Sequence, residues 1–145
     1  MELQPRRLRA APRVRVAAPV RALADDRVLL PAPVYGDGYR QLLVNCRLYL
    51  HAPEGGGTHP ALVEAMGAGR PVLYYDTPEN REVAGGAGLP FRFAGDRALE
   101  RVLERVVEDD AALDGLGGRS RQRVAERYAW EDVATAYEEV LEGLC

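Results

Sequence analysis

The sequence predicts an α/β domain, in which a parallel sheet is flanked by helices. From residue 27 onward, short apolar runs alternate with helical segments, and a glycine-rich turn follows one of the predicted strands. The clearest helix repeats apolar residues every three or four positions. With 145 residues, of which 47% are hydrophobic, the chain is long enough for one domain with a core.

Four short apolar runs predict the strands, at residues 27–31, 47–51, 71–75 and 89–93. Because helical segments separate these runs, we expect the strands to pair in parallel and the helices to cover both faces of the sheet. The fold class is therefore a Rossmann-like parallel sheet flanked by helices.

The helices are predicted at residues 36–45, 60–68, 99–107, 111–128 and 130–142, with a short one after Thr77. Thr77 is a typical N-cap before a proline, and Gly69 can end the second helix in a left-handed conformation. The last helix carries one apolar stripe, so we expect Trp130 and Tyr137 to be core anchors.

Positive charge is concentrated at the start of the chain. Residues 1–23 hold six arginines and one acid, whereas residues 24–145 hold 13 basic and 21 acidic residues. Such an arm can hold anionic lipid or nucleic acid or act as a transit peptide, but a solvated leader or domain edge is the simpler interpretation. No aromatic residue interleaves with the arginines, so no nucleic-acid partner is expected. We assign 1–23 to this arm and 24–145 to the domain.

The remaining composition predicts a cytoplasmic protein without a metal or other cofactor. No apolar run approaches the roughly 18 residues of a membrane span, and no signal-peptide core is present. Cys46 and Cys145 suggest no disulfide framework. His51 and His59 lack further ligands at metal spacing, so non-metal roles are favoured.

The glycine-rich turn before Pro60 is where we look for function. Strand end, consecutive glycines and helix start coincide there, and glycines allow close approach of a ligand to the backbone. A helix N-terminus suits an anion such as diphosphate, and Glu64, one turn later, could accept hydrogen bonds from a ribose diol. A plain tight connection with a solvated Glu64 is equally compatible with these residues. Neither a Walker motif nor GxGxxG is present.

The run Gly-Gly-Thr-His-Pro-Ala-Leu-Val-Glu-Ala-Met-Gly at 56–67 lies within a stretch, 48–91, that resembles the donor-binding half of retaining GT4-type glycosyltransferases of the GT-B fold. Residues 28–36 and 127–137 are similar to that family as well, and the likeness covers about residues 20–142. The resemblance implies a single GT-B half-domain. It also implies transfer of a sugar from a nucleotide diphosphate sugar to an acceptor hydroxyl, with retention and without a metal, in glycan or polysaccharide biosynthesis in bacteria.

The resemblance also implies roles for individual residues. Glu64 matches the second acid of a two-glutamate motif and would bind the nucleotide ribose, while Glu82 would be structural. The donor's sugar and diphosphate would lie against the backbone of Gly56, Gly57, Thr58 and His59. The base would contact the loop formed by Pro33, Val34 and Tyr35. Apart from the resemblance, we expect His51 to orient the turn and His59 to cap the helix or touch the donor.

The sequence departs from the family pattern at two places. The family has its first glutamate eight positions before the second, but the residue eight positions before Glu64 is Gly56. Glu54 could replace that acid only if the loop bulges, and it is the one catalytic candidate. The basic pair that neutralises the diphosphate belongs to an earlier segment, for which residues 13–17 could substitute as an edge strand. The family's catalytic histidine would belong to the other half, so we expect the isolated chain to be inactive.

The partners implied are a nucleotide-sugar donor and an N-terminal acceptor domain or partner subunit; the acceptor could bring the chain to a membrane surface.

Two alternatives stay open: a non-catalytic scaffold or subunit of a split glycosyltransferase, and an unrelated α/β enzyme acting through Asp76 or Glu54. Asp76 at a strand end is more often a turn residue. Arg70 and Arg81 could clamp phosphate but are more often surface residues.

Overall fold

A computed structural model of the chain describes Ala22 and residues 24–55 and 57–144. The predicted arm apart from Ala22, the possible edge strand at 13–17, and Gly56 lie outside the described residues. The chain divides into two units between Tyr39 and Arg40.

In the first unit, the predicted strand at 27–31 is wrong. Residues 28–34 form neither helix nor strand, and Leu29 is 83% exposed. Pro31 and Pro33 have no N–H to donate to a neighbouring strand, which weakens any β-pairing of this run. Arg27 instead folds back in a turn, where its Nε donates to the Asp25 carboxylate at 3.0 Å.

The second unit contains a parallel sheet of three strands, in the order β1 (Tyr49–His51), β2 (Val72–Tyr75) and β3 (Leu89–Phe91). In the register, Leu50 lies opposite Leu73, and Leu73 opposite Leu89. The predictions at 47–51, 71–75 and 89–93 are thus confirmed as strands, each shorter than its apolar run.

The helices follow the predicted order. They are α1 (Asp37–Asn45), which spans the boundary between the units, and, in the second unit, α2 (Pro60–Gly67), α3 (Pro78–Ala84), α4 (Leu99–Val106), α5 (Asp110–Arg127) and α6 (Trp130–Glu142). A 3₁₀ turn, Gly95–Arg97, precedes α4. The hydroxyl of Thr77 accepts from the Asn80 N–H at 3.2 Å, which confirms the predicted cap of α3.

Helices cover both faces of the sheet. On one face, Leu73 and Phe91 pack with Val102 of α4 in a buried cluster. Because neighbouring residues of a strand point to opposite faces, Val72 and Tyr74 face the other side, where α2 and α5 pack on β2. The α/β class with a Rossmann-like parallel sheet is confirmed.

The turn after α2 lies unusually close to α5. Gly69 has φ +70°, as the predicted left-handed end of α2 requires. A Cβ built on the buried Gly117 of α5 would collide with the Gly69 carbonyl oxygen. The absence of a side chain at Gly117 therefore permits this approach.

The expectation for the last helix is wrong in one respect. α6 forms where it was predicted, but Trp130 is 81% exposed and Tyr137 69% exposed, and the helix has no buried residue. The residues of its stripe are thus exposed apolar side chains instead of core anchors. Periodicity identifies the amphipathic helix but does not say whether the same chain covers its apolar face.

Candidate functional site

The three parallel strands end at one edge of the sheet, and a polar residue lies at the end of each strand or directly after it. β1 ends at His51, Asp76 follows β2, and Arg92 follows β3. In open parallel sheets, ligands bind outside this carboxyl edge. It is therefore the first place to look for function.

The glycine-rich turn connects β1 to α2 at this edge. Gly55, Gly57 and Thr58 are exposed, and no atom of the described chain lies within 4 Å of a Cβ built on Gly55 or Gly57. Neither glycine has a positive φ, so backbone strain does not require either of them. The space beside the turn is open to a ligand that approaches the main chain.

His51 is buried beneath the turn, with 4% exposure. Its ring meets that of His59 edge-on, with centroids 4.8 Å apart, and this contact links the strand end to the helix start. Burial, and then the neighbouring His59, lower the pKa of His51, so the imidazole is neutral at physiological pH. Its Nε2 makes no hydrogen bond within the described chain. His59 is the N-cap residue of α2 by position, but its side chain makes no capping hydrogen bond.

Asn80, which the sequence analysis missed, connects the turn to the next strand. The fully buried amide donates through Nδ2 to the Pro53 carbonyl at 3.1 Å and to the Tyr75 carbonyl at 2.9 Å. Its Oδ1 is buried and has no partner in the described chain. Buried polar atoms are normally hydrogen-bonded, so Asn80 Oδ1 and His51 Nε2 are exceptions among the described residues. The sequence feature that could have identified Asn80 is its position three residues after the N-cap Thr77.

Glu64 lies exposed on α2, one turn beyond its start. Burial raises the pKa of Tyr49, and the negative charge of Glu64 raises it further. The Glu64 carboxylate therefore lies close enough to the β1 residue Tyr49 to affect it electrostatically. Glu54 is exposed in the turn. Pro33, Val34 and Tyr35 belong to the first unit, where all are exposed.

Asp76 is the most strongly paired acid of the described chain. Its side chain is completely buried, and its two carboxylate oxygens contact three arginines. Arg81 Nε lies 2.5 Å from Oδ1, whereas Arg92 Nε and Arg97 Nη1 lie 3.0 and 2.9 Å from Oδ2. We call Asp76 with these three arginines the arginine cluster.

The cluster determines what Asp76 can do. The Arg81 hydrogen bond, with further help from Arg92, lowers the pKa of Asp76 to about 2, although burial opposes the shift. A carboxylate that remains ionised at neutral pH cannot serve there as a general acid. Since the arginines also occupy both oxygens, the geometry does not support an enzyme acting through Asp76.

The cavity beside Arg70 does not lie at the carboxyl edge. A cavity of about 590 Å³ lies at the opposite edge, lined by Cys46, Arg47, Arg70 and Pro71, which precede β1 and β2, and by residues of α5. Arg70 thus lies away from the glycine turn. We place the site at the turn because the strand ends and the start of α2 meet there.

Among the described residues, no group of three or more metal-ligating side chains comes together, and none of the helices they form is long and apolar enough to cross a bilayer.

A parallel sheet covered by helices, with a glycine-rich turn at its carboxyl edge, defines a Rossmann-like α/β domain. The family model described as glycosyl transferase-like matches residues 3–139, so the chain belongs to the glycosyl transferase-like family. The fold is that of a glycosyltransferase half-domain. No curated protein matches the chain with significance.

Proposed function

We propose that this chain is the donor-binding half of a GT4-type, retaining glycosyltransferase of the GT-B fold. The observation that carries the proposal is the open glycine turn at the carboxyl edge, followed within one helical turn by Glu64. A nucleotide diphosphate sugar has the complementary groups: an anion for the backbone and helix start, and a diol for the carboxylate.

In this proposal, each part of the donor has its own contacts. The backbone from Gly56 to His59 receives the sugar and diphosphate, and Glu64 receives the ribose. The contact of the base with Pro33, Val34 and Tyr35 stays a prediction from the family resemblance. The sugar passes to an acceptor hydroxyl held by an acceptor domain or partner subunit, with no metal cofactor. This half contributes mainly positioning and stabilisation of the leaving diphosphate.

Thermal unfolding against UDP, GDP and dTDP, with and without attached sugars, tests donor binding. A ligand at ten times its Kd stabilises the protein by about 1.4 kcal/mol, or about 4 °C for a domain of this size. We expect one base to give this shift in the wild type and not in Glu64→Ala.

The matched control is Glu104→Ala, which removes an exposed acid from α4 on the other face of the sheet. It should retain the full shift. If no nucleotide stabilises a cooperatively melting wild type, or if Glu64→Ala responds like Glu104→Ala, the donor-binding proposal fails.

The exposed stripe of α6 favours a second candidate, a non-catalytic scaffold or subunit of a split glycosyltransferase. Tyr137, Val140 and Leu141 are each more than 60% exposed, and a small apolar groove lies along this face. Exposed apolar patches of this kind are typical of association surfaces. Light scattering coupled to size exclusion separates the candidates, because a clean monomer counts against an obligate subunit.

A further inference from the structure

The arginine cluster carries more positive charge than its own carboxylate balances. Three guanidinium groups surround one ionised aspartate, which leaves a formal local charge of +2 in a chain whose net charge is −3. One buried carboxylate is satisfied by one or two arginines. The third adds repulsion among the cations unless an anion joins them.

The folded chain brings the three arginines together from separate elements. Arg81 is on α3, Arg92 follows β3, and Arg97 ends the 3₁₀ turn. Gly95, with φ +81°, allows this tight turn, and the Arg92 N–H donates to the Arg97 carbonyl at 2.6 Å. Because the backbone fixes the spacing of Arg92 and Arg97, the cluster is organised before any ligand arrives.

The donors that a ligand needs are available. Arg81 and Arg92 each hydrogen-bond to Asp76 through Nε, and within the described chain their terminal nitrogens donate no hydrogen bond. The three arginine side chains are about half exposed, at 48% to 51%, while the Asp76 carboxylate beneath them is sealed from water. A guanidinium fork matches the oxygens of a phosphate group, to which it can donate two parallel hydrogen bonds.

We propose that Arg81, Arg92 and Arg97, held in place by Asp76, bind a phosphate group at the carboxyl edge of the sheet. The ligand class is a dianionic phosphate or diphosphate ester. It could be the diphosphate of the donor or a phosphate on another ligand at the same edge. The site itself does not depend on the proposed donor function, because inorganic pyrophosphate is a sufficient probe of it.

Calorimetric titration of the full chain with pyrophosphate tests the site. Arg92→Gln and Arg97→Gln each leave Asp76 with two arginines, and melting without ligand should show that both variants are folded. Each should weaken pyrophosphate binding by about tenfold or more, as expected for loss of a charge-assisted contact. Arg101→Gln is the matched control, because Arg101 pairs with exposed Asp96 at 3.3 Å outside the cluster, and it should bind as the wild type does.

Two results would overturn the proposal: no binding of pyrophosphate to the wild type up to about 10 mM, or equal affinity in the wild type, Arg92→Gln and Arg97→Gln. An equal loss in Arg101→Gln would also overturn it, because the effect would then reflect overall charge. The source of the phosphate follows from nucleoside diphosphate binding. If Arg97→Gln and Glu64→Ala both weaken it, the cluster holds the donor's diphosphate; if only Glu64→Ala does, the cluster serves another phosphorylated ligand.

Discussion

Two adjacent glycines of α5 should respond in opposite directions to the same substitution. Gly117 is buried, and a Cβ there would collide with the Gly69 carbonyl oxygen, a backbone atom that no rotamer change can move. Gly118 is exposed and has no described atom within 4 Å of its added Cβ. Alanine in a helix gains about 0.5–1 kcal/mol over glycine, whereas overpacking costs about 1–3 kcal/mol.

We therefore expect Gly118→Ala to raise the free energy of unfolding by about 0.5–1 kcal/mol and Gly117→Ala to lower it by about 1 kcal/mol or more. Urea unfolding of the two variants beside the wild type measures both changes. If Gly117→Ala proved as stable as Gly118→Ala, the close approach of α5 to the Gly69 turn would be refuted. If both variants lost stability, the gain that helix propensity predicts for the control Gly118→Ala would be absent, and Gly118→Ala could not serve as the reference for Gly117→Ala.

Acid should weaken the fold through Asp76. Its pKa falls from 3.8 to about 2 on folding, so its ion pairs contribute at most about 2 kcal/mol above pH 4, and this is lost as the pH falls towards 2. In Asp76→Asn, the free energy of unfolding measured with urea should depend less on pH over that range. An unchanged pH dependence would contradict the lowered pKa of Asp76. Thr77→Ala should cost about 1 kcal/mol in the same assay, because the hydroxyl caps α3, and Thr77→Ser should recover most of it. Trp130 is the single tryptophan and is 81% exposed, so acrylamide should quench it nearly as well as the free amino acid; weak quenching would contradict the exposed position of Trp130 on α6.

The elements that could be predicted from sequence are those fixed by local chemistry. Thr77 before a proline specifies a cap, and Gly69 after α2 specifies a left-handed end, because each depends on a few neighbouring residues. The glycine turn was found because β1, glycines and α2 follow one another along the chain. Whether the turn binds a donor stays a prediction.

What could not be predicted depends on partners distant in sequence. The strand expected at 27–31 failed because an apolar run does not reveal whether another strand pairs with it. Arg81 lies five residues after Asp76, but Arg92 and Arg97 follow β3, and the parallel pairing of β2 and β3 brings them to Asp76. Asn80 was missed for the same reason, since its partner Pro53 lies 27 residues earlier in the chain.

The two hydrogen bonds of Asn80 have a thermodynamic consequence. One holds the entrance of the glycine turn at Pro53 and the other the end of β2 at Tyr75, directly before Asp76. A molecule that orders the turn therefore also restrains the residue that organises the arginines. Linkage is reciprocal, so an anion on the arginines should favour occupancy of the turn by the same factor. Two small sites joined by one amide would then respond cooperatively.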